Sequence, residues 1–315
     1  MNDQRVSVVI TTYLRDDMLA ESLQSLAAQT LPLHEVLVVD DGGSGSAREI
    51  VSQFGERFRY LWQPNSGQQS ARNLGARSST GDWIAFLDDD DLWLSERHTR
   101  LAELMATGQV DLILGDFTKF GENWIAPTGV FYEIEQKSPG FWDGIPHEPG
   151  ANYSIVGKFP TTRLFPVYPF WPSTLVIRRD LFERINGWNT KLRGIKSEDN
   201  EFGFRAIKNG ELGIIWPPTV HYRCHMSNDS NFPLLNAIGR TQVWEEMRES
   251  LELTDNERSA LNTAIDQTRH GIIWSAFSEK KHAIVVETAR KMTGLNLSVT
   301  ERTKIFISKM IARSG

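Results

Sequence analysis

A single cysteine, Cys224, stands among 315 residues, so no intramolecular disulfide can form and a reducing compartment is the expected setting. No apolar run approaches the ~20 residues that a membrane-spanning helix needs. The first residues lack a basic n-region, and their apolar run, Val8-Val9-Ile10, is too short for a signal peptide. A cytoplasmic protein is therefore expected, with any membrane contact peripheral. Basic charge is in deficit too. The 34 Lys and Arg against 40 Asp and Glu leave a formal net charge of -6, which argues against a general nucleic-acid binder. Internal repeats and low-complexity segments are absent. What remains is an ordinary globular composition, 40% hydrophobic and 23% charged. The length suits one large domain plus an appendage, or two small domains.

The densest chemistry lies at Phe86-Leu87-Asp88-Asp89-Asp90-Asp91-Leu92-Trp93. Asp82 to Leu87 reads as a short buried strand, and Ser95 is placed to cap a helix from Glu96 to about Ala106. Four carboxylates thus occupy the turn at the carboxyl end of a strand, where open α/β sheets place their ligands. Adjacent like charges repel, and a hard cation among oxygen ligands relieves the repulsion. A solvated acidic turn is the alternative. The hydrophobic strand on one side and Leu92-Trp93 on the other favour the metal.

Strands and helices alternate around this turn. Val6 to Thr12 is a β-branched strand, and Met18, Leu19, Ser22, Leu23 and Leu26 mark a helix face after it. Glu35 to Asp41 is a second strand, ending in carboxylates and glycines. Ser46 and Glu49 have capping-box spacing ahead of the next helix. Phe58 to Trp62 is a third strand, Gln69 to Arg77 a helix, and Asp111 to Asp116 a further strand. This alternation predicts an α/β fold with a mostly parallel sheet flanked by helices.

The pattern breaks from about Phe117 to Phe170, a stretch rich in Pro, Gly and aromatics. Its rings (Phe131, Tyr132, Phe141, Trp142, Tyr153, Phe159, Phe165, Tyr168, Phe170, with Trp171 beyond) argue against disorder. They suit either sugar faces or a core of their own. Regular pattern returns with a strand from Ser173 to Arg179, and a helix opens near Ser197. Its apolar stripe is Phe202, Gly203, Ala206 and Ile207, with Asp199 on the same stripe one turn earlier. From Asn236 the signals are helical to the end, with capping-box spacing at Thr254/Glu257 and Ser298/Glu301. The last helix carries Phe306, Ile307, Met310 and Ile311 on one side, with Arg302, Lys309 and Arg313 beside them. Four basic residues and one acidic residue lie between Ser298 and Gly315. That stretch reads as an interfacial membrane helix or as a helix packed on its own domain, the more ordinary of the two.

Several motifs, in order, carry a resemblance. They are Val6 to Tyr13; Val38-Val39-Asp40-Asp41-Gly42; Asn65-Ser66-Gly67 with Ser70-Ala71-Arg72-Asn73; Gly81 to Asp91; Arg178-Arg179 through Gly187-Trp188; and Ser197-Glu198-Asp199. Spanning roughly residues 5 to 226, they resemble the family 2 glycosyltransferases of GT-A fold. The resemblance implies a GT-A domain over 1–235, with 117–171 as an acceptor-side excursion, followed by a helical region over 236–315 that it does not cover. It implies inverting transfer of a sugar from a nucleotide diphosphate, with UDP expected, to an acceptor hydroxyl in surface glycan or polysaccharide synthesis.

Roles follow residue by residue. Asp88 and Asp90 match the outer members of the family's Asp-x-Asp motif and would hold Mn2+ or Mg2+, Asp90 most directly; Asp89 lies between them beside the donor, without a ligand role. Tyr13 matches the aromatic that stacks on uracil, with Thr11 close by, and Asp41 matches the carboxylate that accepts the uracil imide N–H. Arg72 matches an arginine near the nucleotide that pairs with phosphate. His225 matches a histidine near the metal or pyrophosphate. Asp199 is the expected general base, with Glu198 beside it orienting the acceptor. The acceptor class is a glycan, a lipid-linked glycan or another hydroxyl compound. Two rivals stand: a sugar nucleotidyltransferase, whose glycine-rich phosphate loop is missing from Tyr13-Leu14-Arg15-Asp16, and a catalytically dead glycan-binding scaffold, against which intact Asp88, Asp90 and Asp199 speak.

Overall fold

The computed structural model describes residues 4–121, 124–125, 128–148, 150–169, 171–225, 231–292 and 297–314, with the backbone alone at 124, 125, 313 and 314. Phe170 and the Arg313 side chain lie outside that set. The chain divides into two compact units, Met1–Gly194 with Phe202–His225, and Ile195–Glu201 with Met226–Gly315.

The first unit is built on one sheet. β1 (Val6–Thr12) leads through α1 (Asp16–Ala27) to β2 (Glu35–Asp41), then α2 (Ser46–Ser52), β3 (Phe58–Gln63), α3 (Gln68–Ser78) and β4 (Trp83–Asp88). These four strands are parallel, ordered β3-β2-β1-β4. Every residue of β1 and β2 is buried, as expected of β-branched runs covered on both faces. After the acidic turn come β5 (Leu92–Trp93), α4 (Arg97–Met105), β6 (Leu112–Gly121), β7 (Trp124–Ile125), α5 (Val130–Lys137), β8 (Tyr153–Gly157), β9 (Leu175–Arg178), α6 (Arg179–Arg184), α7 (Asp199–Asn209, in this unit from Phe202 onward) and β10 (Leu212–Arg223). They extend the sheet as β4-β9-β6-β10-β5, with β9 antiparallel to both neighbours and β10 parallel to β6.

Two local expectations give way. Ser46 is the first residue of α2 rather than its cap; Gly45 precedes it at φ 93, and no side chain caps the helix. Ser95 does not cap α4 either, which starts at Arg97 after Glu96, and its hydroxyl turns to the Glu96 carboxylate. β10 went unread because Pro217 and Pro218 lie inside it. Proline has no N–H for a ladder, and the register with β6 shifts between Ile215 and Val220 to pass the pair.

Several rings of the 117–171 stretch are core. Phe131, Phe141, Phe159 and Phe165 are buried, and Trp142 packs on Phe131, Phe141 and Trp216 at centroid distances of 4.8, 4.7 and 5.3 Å. Tyr132 is exposed.

The second unit holds α8 (Pro233–Ser250), α9 (Asp255–Ser278), α10 (His282–Arg290) and α11 (Val299–Ser314). Its core gathers Leu234, Ile272, Ile273, Ala276, Val285, Met292 and Ile305. Both capping boxes read here are present: Thr254 with Glu257, and Ser298 with Glu301.

Candidate active site

β1, β2 and β4 end side by side, so Thr12 pairs with Asp40 and Thr11 with Asp88 across the ladder. Parallel register thereby brings Thr11, Tyr13, Asp41 and Asp88 to one edge, the carboxyl ends of three strands. Thr11 is buried, and its Oγ1 has no hydrogen-bond partner among the described residues. Tyr13 is 48% exposed, with its ring free to stack. Leu14 follows at φ 56, a left-handed conformation that costs a leucine on the order of 1–3 kcal/mol and is kept only where the surroundings enforce it.

Asp41 is a buried acceptor. Its Oδ1 accepts from Gln63 Nε2 at 2.6 Å and Ser66 N at 2.8 Å, and its Oδ2 from Gly67 N at 2.8 Å. A carboxylate has about four lone-pair directions, so one remains for a ligand N–H. The first job of Asp41 is thus to hold the loop that opens α3. Gly42 makes the turn possible: its φ is 96, and a Cβ there would meet Asn65 N at 2.7 Å.

The acidic run divides into four different environments. Asp88, half-buried, receives Arg72 Nη2 on Oδ1 at 2.7 Å. Arg72 is itself buried and lies 4.5 Å over the Trp188 ring. Asn73 next to it grips Trp188 from both sides, donating to its carbonyl at 2.8 Å and accepting its N–H at 2.9 Å. The Arg72-Asn73 and Gly187-Trp188 motifs are thus one device. Asp89 pairs with Arg15 at 3.2 Å; burial and the Asp90 charge push its carboxyl up to about 6. Asp90 Oδ2 receives Arg15 Nη1 and His225 Nε2, both at 3.0 Å. Asp91 is fully buried, bound to the Ser173 hydroxyl at 2.5 Å and the Arg223 N–H at 2.9 Å. Burial, then the charges of Asp90 and Asp88, hold its carboxyl well above the usual carboxylate range.

Asp88, Asp90, Arg72 and His225 therefore meet in one hydrogen-bonded network. Arg15, Ser173 and Arg223 complete it and were not read from the sequence. Arg15 had a signal, a base directly after the first strand end. Ser173 and Arg223 had none, since their contacts are made across the sheet. Asp199 and Glu198 belong to the second unit, where Asp199 is the first residue of α7, half-buried, with its Oδ1 accepting from Asn200 Nδ2 at 3.1 Å.

The donor set suits a divalent cation. Asp88 Oδ2 and Asp90 Oδ1 each remain without a hydrogen bond among the described residues. No three His, Cys, Asp or Glu side chains among those residues form a preformed cage. Mg2+ does not need one: one or two carboxylates plus substrate phosphates commonly hold it, and Mn2+ favours the same oxygen ligands.

Residues 7–145 match the family described as Glycosyl transferase family 2. Over those residues the chain carries a domain that matches this family of glycosyltransferases. Among curated relatives, the glycosyltransferase GlyA of Streptococcus pneumoniae is 31% identical over 134 residues, 41% of this chain and 18% of its own. The Escherichia coli UDP-Glc:alpha-D-GlcNAc-diphosphoundecaprenol beta-1,3-glucosyltransferase WfgD is 28% identical over 147 residues, 44% of this chain and 58% of its own. The chain thus spans less than two thirds of either. Among solved structures, S. aureus TarS in complex with UDP aligns with TM-score 0.61 at 19% identity, over 90% of this chain and 78% of that one. The mannosyltransferase PcManGT from Pyrobaculum calidifontis, in complex with GDP-Man and Mn2+, aligns with TM-score 0.57 at 17% identity, over 98% and 80%. These likenesses place the fold as GT-A.

Proposed function

We propose that the protein is an inverting glycosyltransferase that takes a UDP-sugar and a divalent cation and builds a surface glycan or polysaccharide on a glycan, lipid-linked or other hydroxyl acceptor. One observation carries this reading. At the carboxyl end of β4, Asp88 and Asp90 are oriented by Arg72, Arg15 and His225, and each keeps one oxygen without a hydrogen bond among the described residues. UDP in TarS, Mn2+ in PcManGT and the lipid-linked acceptor in the name of WfgD are in keeping with it.

Asp90 and Asp88 would hold Mn2+ or Mg2+, which supplies Lewis-acid stabilisation of the charge gathering on the departing diphosphate. Tyr13 stacks on the base, and the last lone pair of Asp41 takes the uracil imide N–H. Thr11 Oγ1, buried and without a hydrogen-bond partner among the described residues, lies beside them as a further donor or acceptor. Arg72 locks Asp88 in place, and Asp89 acts as a spacer. The acceptor oxygen bonds to the anomeric carbon as the carbon–diphosphate bond breaks with its electron pair; the hydroxyl proton passes to Asp199, and Glu198 orients the acceptor.

Two variants test the division of labour. Asp90→Ala is expected to abolish the divalent-dependent part of UDP binding in calorimetry; unchanged binding would remove the metal assignment. Asp199→Asn is expected to cut turnover by about 10²–10⁴-fold, the usual worth of a general base, while UDP affinity stays as in the parent chain. Loss of donor binding in that variant would make Asp199 a nucleotide residue instead.

A further inference from the structure

α11 is packed with its polar side inward. Among its described side chains the buried ones are Glu301, Ile305 and Ser308. Glu301 accepts from His270 Nδ1 at 2.5 Å and from the Ser298 hydroxyl at 2.7 Å, while Ser308 meets His282 Nδ1 at 3.0 Å. At about 100° per residue, Val299, Phe306 and Met310 fall on the opposite side, with Ile307 and Ile311 adjoining. Those three are 81%, 63% and 57% exposed, and the two isoleucines are exposed as well. A surface helix ordinarily does the reverse. A contiguous stripe of five large apolar side chains in water marks an interaction surface.

Charge indicates the partner. Glu301 is the only carboxylate in α11, and it is buried. The helix therefore shows only positive charge to solvent, through Arg302, Lys304 and Lys309, on a chain of net charge -6. Lys304 Nζ sits 4.4 Å from the Trp274 ring and 4.1 Å from the Phe277 ring. Trp274 is 46% exposed and carries the apolar stripe onto α9. An apolar face flanked by lysine and arginine, with a tryptophan at its edge, suits the boundary between headgroups and acyl chains. A second copy of this face is disfavoured, because two copies would bring cations together with no carboxylate between them.

We infer that α11 and Trp274 form a docking surface for an anionic lipid bilayer, with the helix in the plane of the interface and Phe306 and Met310 inserted. No helix among the described residues is long and apolar enough to cross a membrane; this surface would lie on the bilayer rather than cross it. Nothing in this surface depends on the transfer reaction.

The full chain is to be sedimented with vesicles of equal parts phosphatidylglycerol and phosphatidylcholine, and with phosphatidylcholine alone. It is expected to bind the first, to bind the second more weakly, and to be released as salt rises. F306E/M310E is expected to lower the partition at least ~10-fold, and Lys304→Gln and Lys309→Gln about fivefold each. Melting and UDP binding serve as controls and should stay as in the parent, since both apolar side chains are exposed. If F306E/M310E melts early, the lysine variants decide. Parental partition of the well-folded variants overturns the inference. So does a parent that ignores the vesicles and runs as a dimer that F306E/M310E splits.

Discussion

Asp88 and Asp91 are three positions apart and chemically opposite, because β4 ends between them and the turn leaves one half-buried and the other fully buried. Asp116 shows the same dependence on surroundings. It is buried in β6, and its Oδ1 accepts from Phe117 N at 2.8 Å and from Phe131 N at 3.0 Å, tying the strand to the first turn of α5. Burial pushes its carboxyl up to about 7. A raised carboxyl means that the folded state holds its proton more tightly than the unfolded chain does. The associated stability is complete in acid and is lost as pH rises between about 4 and 7. Its size is on the order of 4 kcal/mol. Asp116→Asn keeps the acceptor oxygen and removes the ionisation. Urea unfolding of the variant should therefore show a shallower decline than the parent across that range, the remainder coming from Asp89 and Asp91, whose carboxyls are raised as well; an unchanged decline would place the titration elsewhere.

At the scale of elements, α3 is the arm that carries Arg72 and Asn73, and Gly75 sets how closely it lies on the sheet. A Cβ at Gly75 would stand 2.3 Å from Val9 Cγ1 of β1. Alanine in a helix gains up to about 1 kcal/mol over glycine, while overpacking costs about 1–3 kcal/mol. A carbon–carbon approach so far inside contact distance belongs at the upper end, so overpacking wins. Gly75→Ala is expected to lose about 1–2 kcal/mol net and, by lifting Arg72 from Asp88, to weaken UDP binding as well. Denaturation and calorimetry on the same sample check both effects. A variant as stable as the parent would show that α3 shifts freely.

For the whole molecule, ligand binding adds stability by mass action, about 2.7 kcal/mol for a ligand at a hundred times its Kd. A thermal-shift panel of nucleotide sugars should raise the melting temperature with a UDP-sugar and Mn2+ together, and much less with either alone. An equal rise with a GDP-sugar would remove Asp41 as a reader of uracil.

Local pattern was enough for the parallel half of the sheet, since β-branched runs and the helices between them satisfy their own periodicities. It was enough for the acidic turn, because four adjacent carboxylates at a strand end are conspicuous in any register. Two capping boxes in the helical region held as well. The box at Ser46 and the cap at Ser95 did not, because the backbone entering the helix decides whether a hydroxyl reaches its N–H. Only the tertiary structure could show that Arg15, Ser173 and Arg223 serve the acidic turn. Their contacts span 74, 82 and 132 residues and exist only once strands distant in the chain are neighbours. The same holds for α11. Its amphipathic stripe is visible in the sequence, but which side faces the core depends on where His270 and His282 wait to receive Glu301 and Ser308.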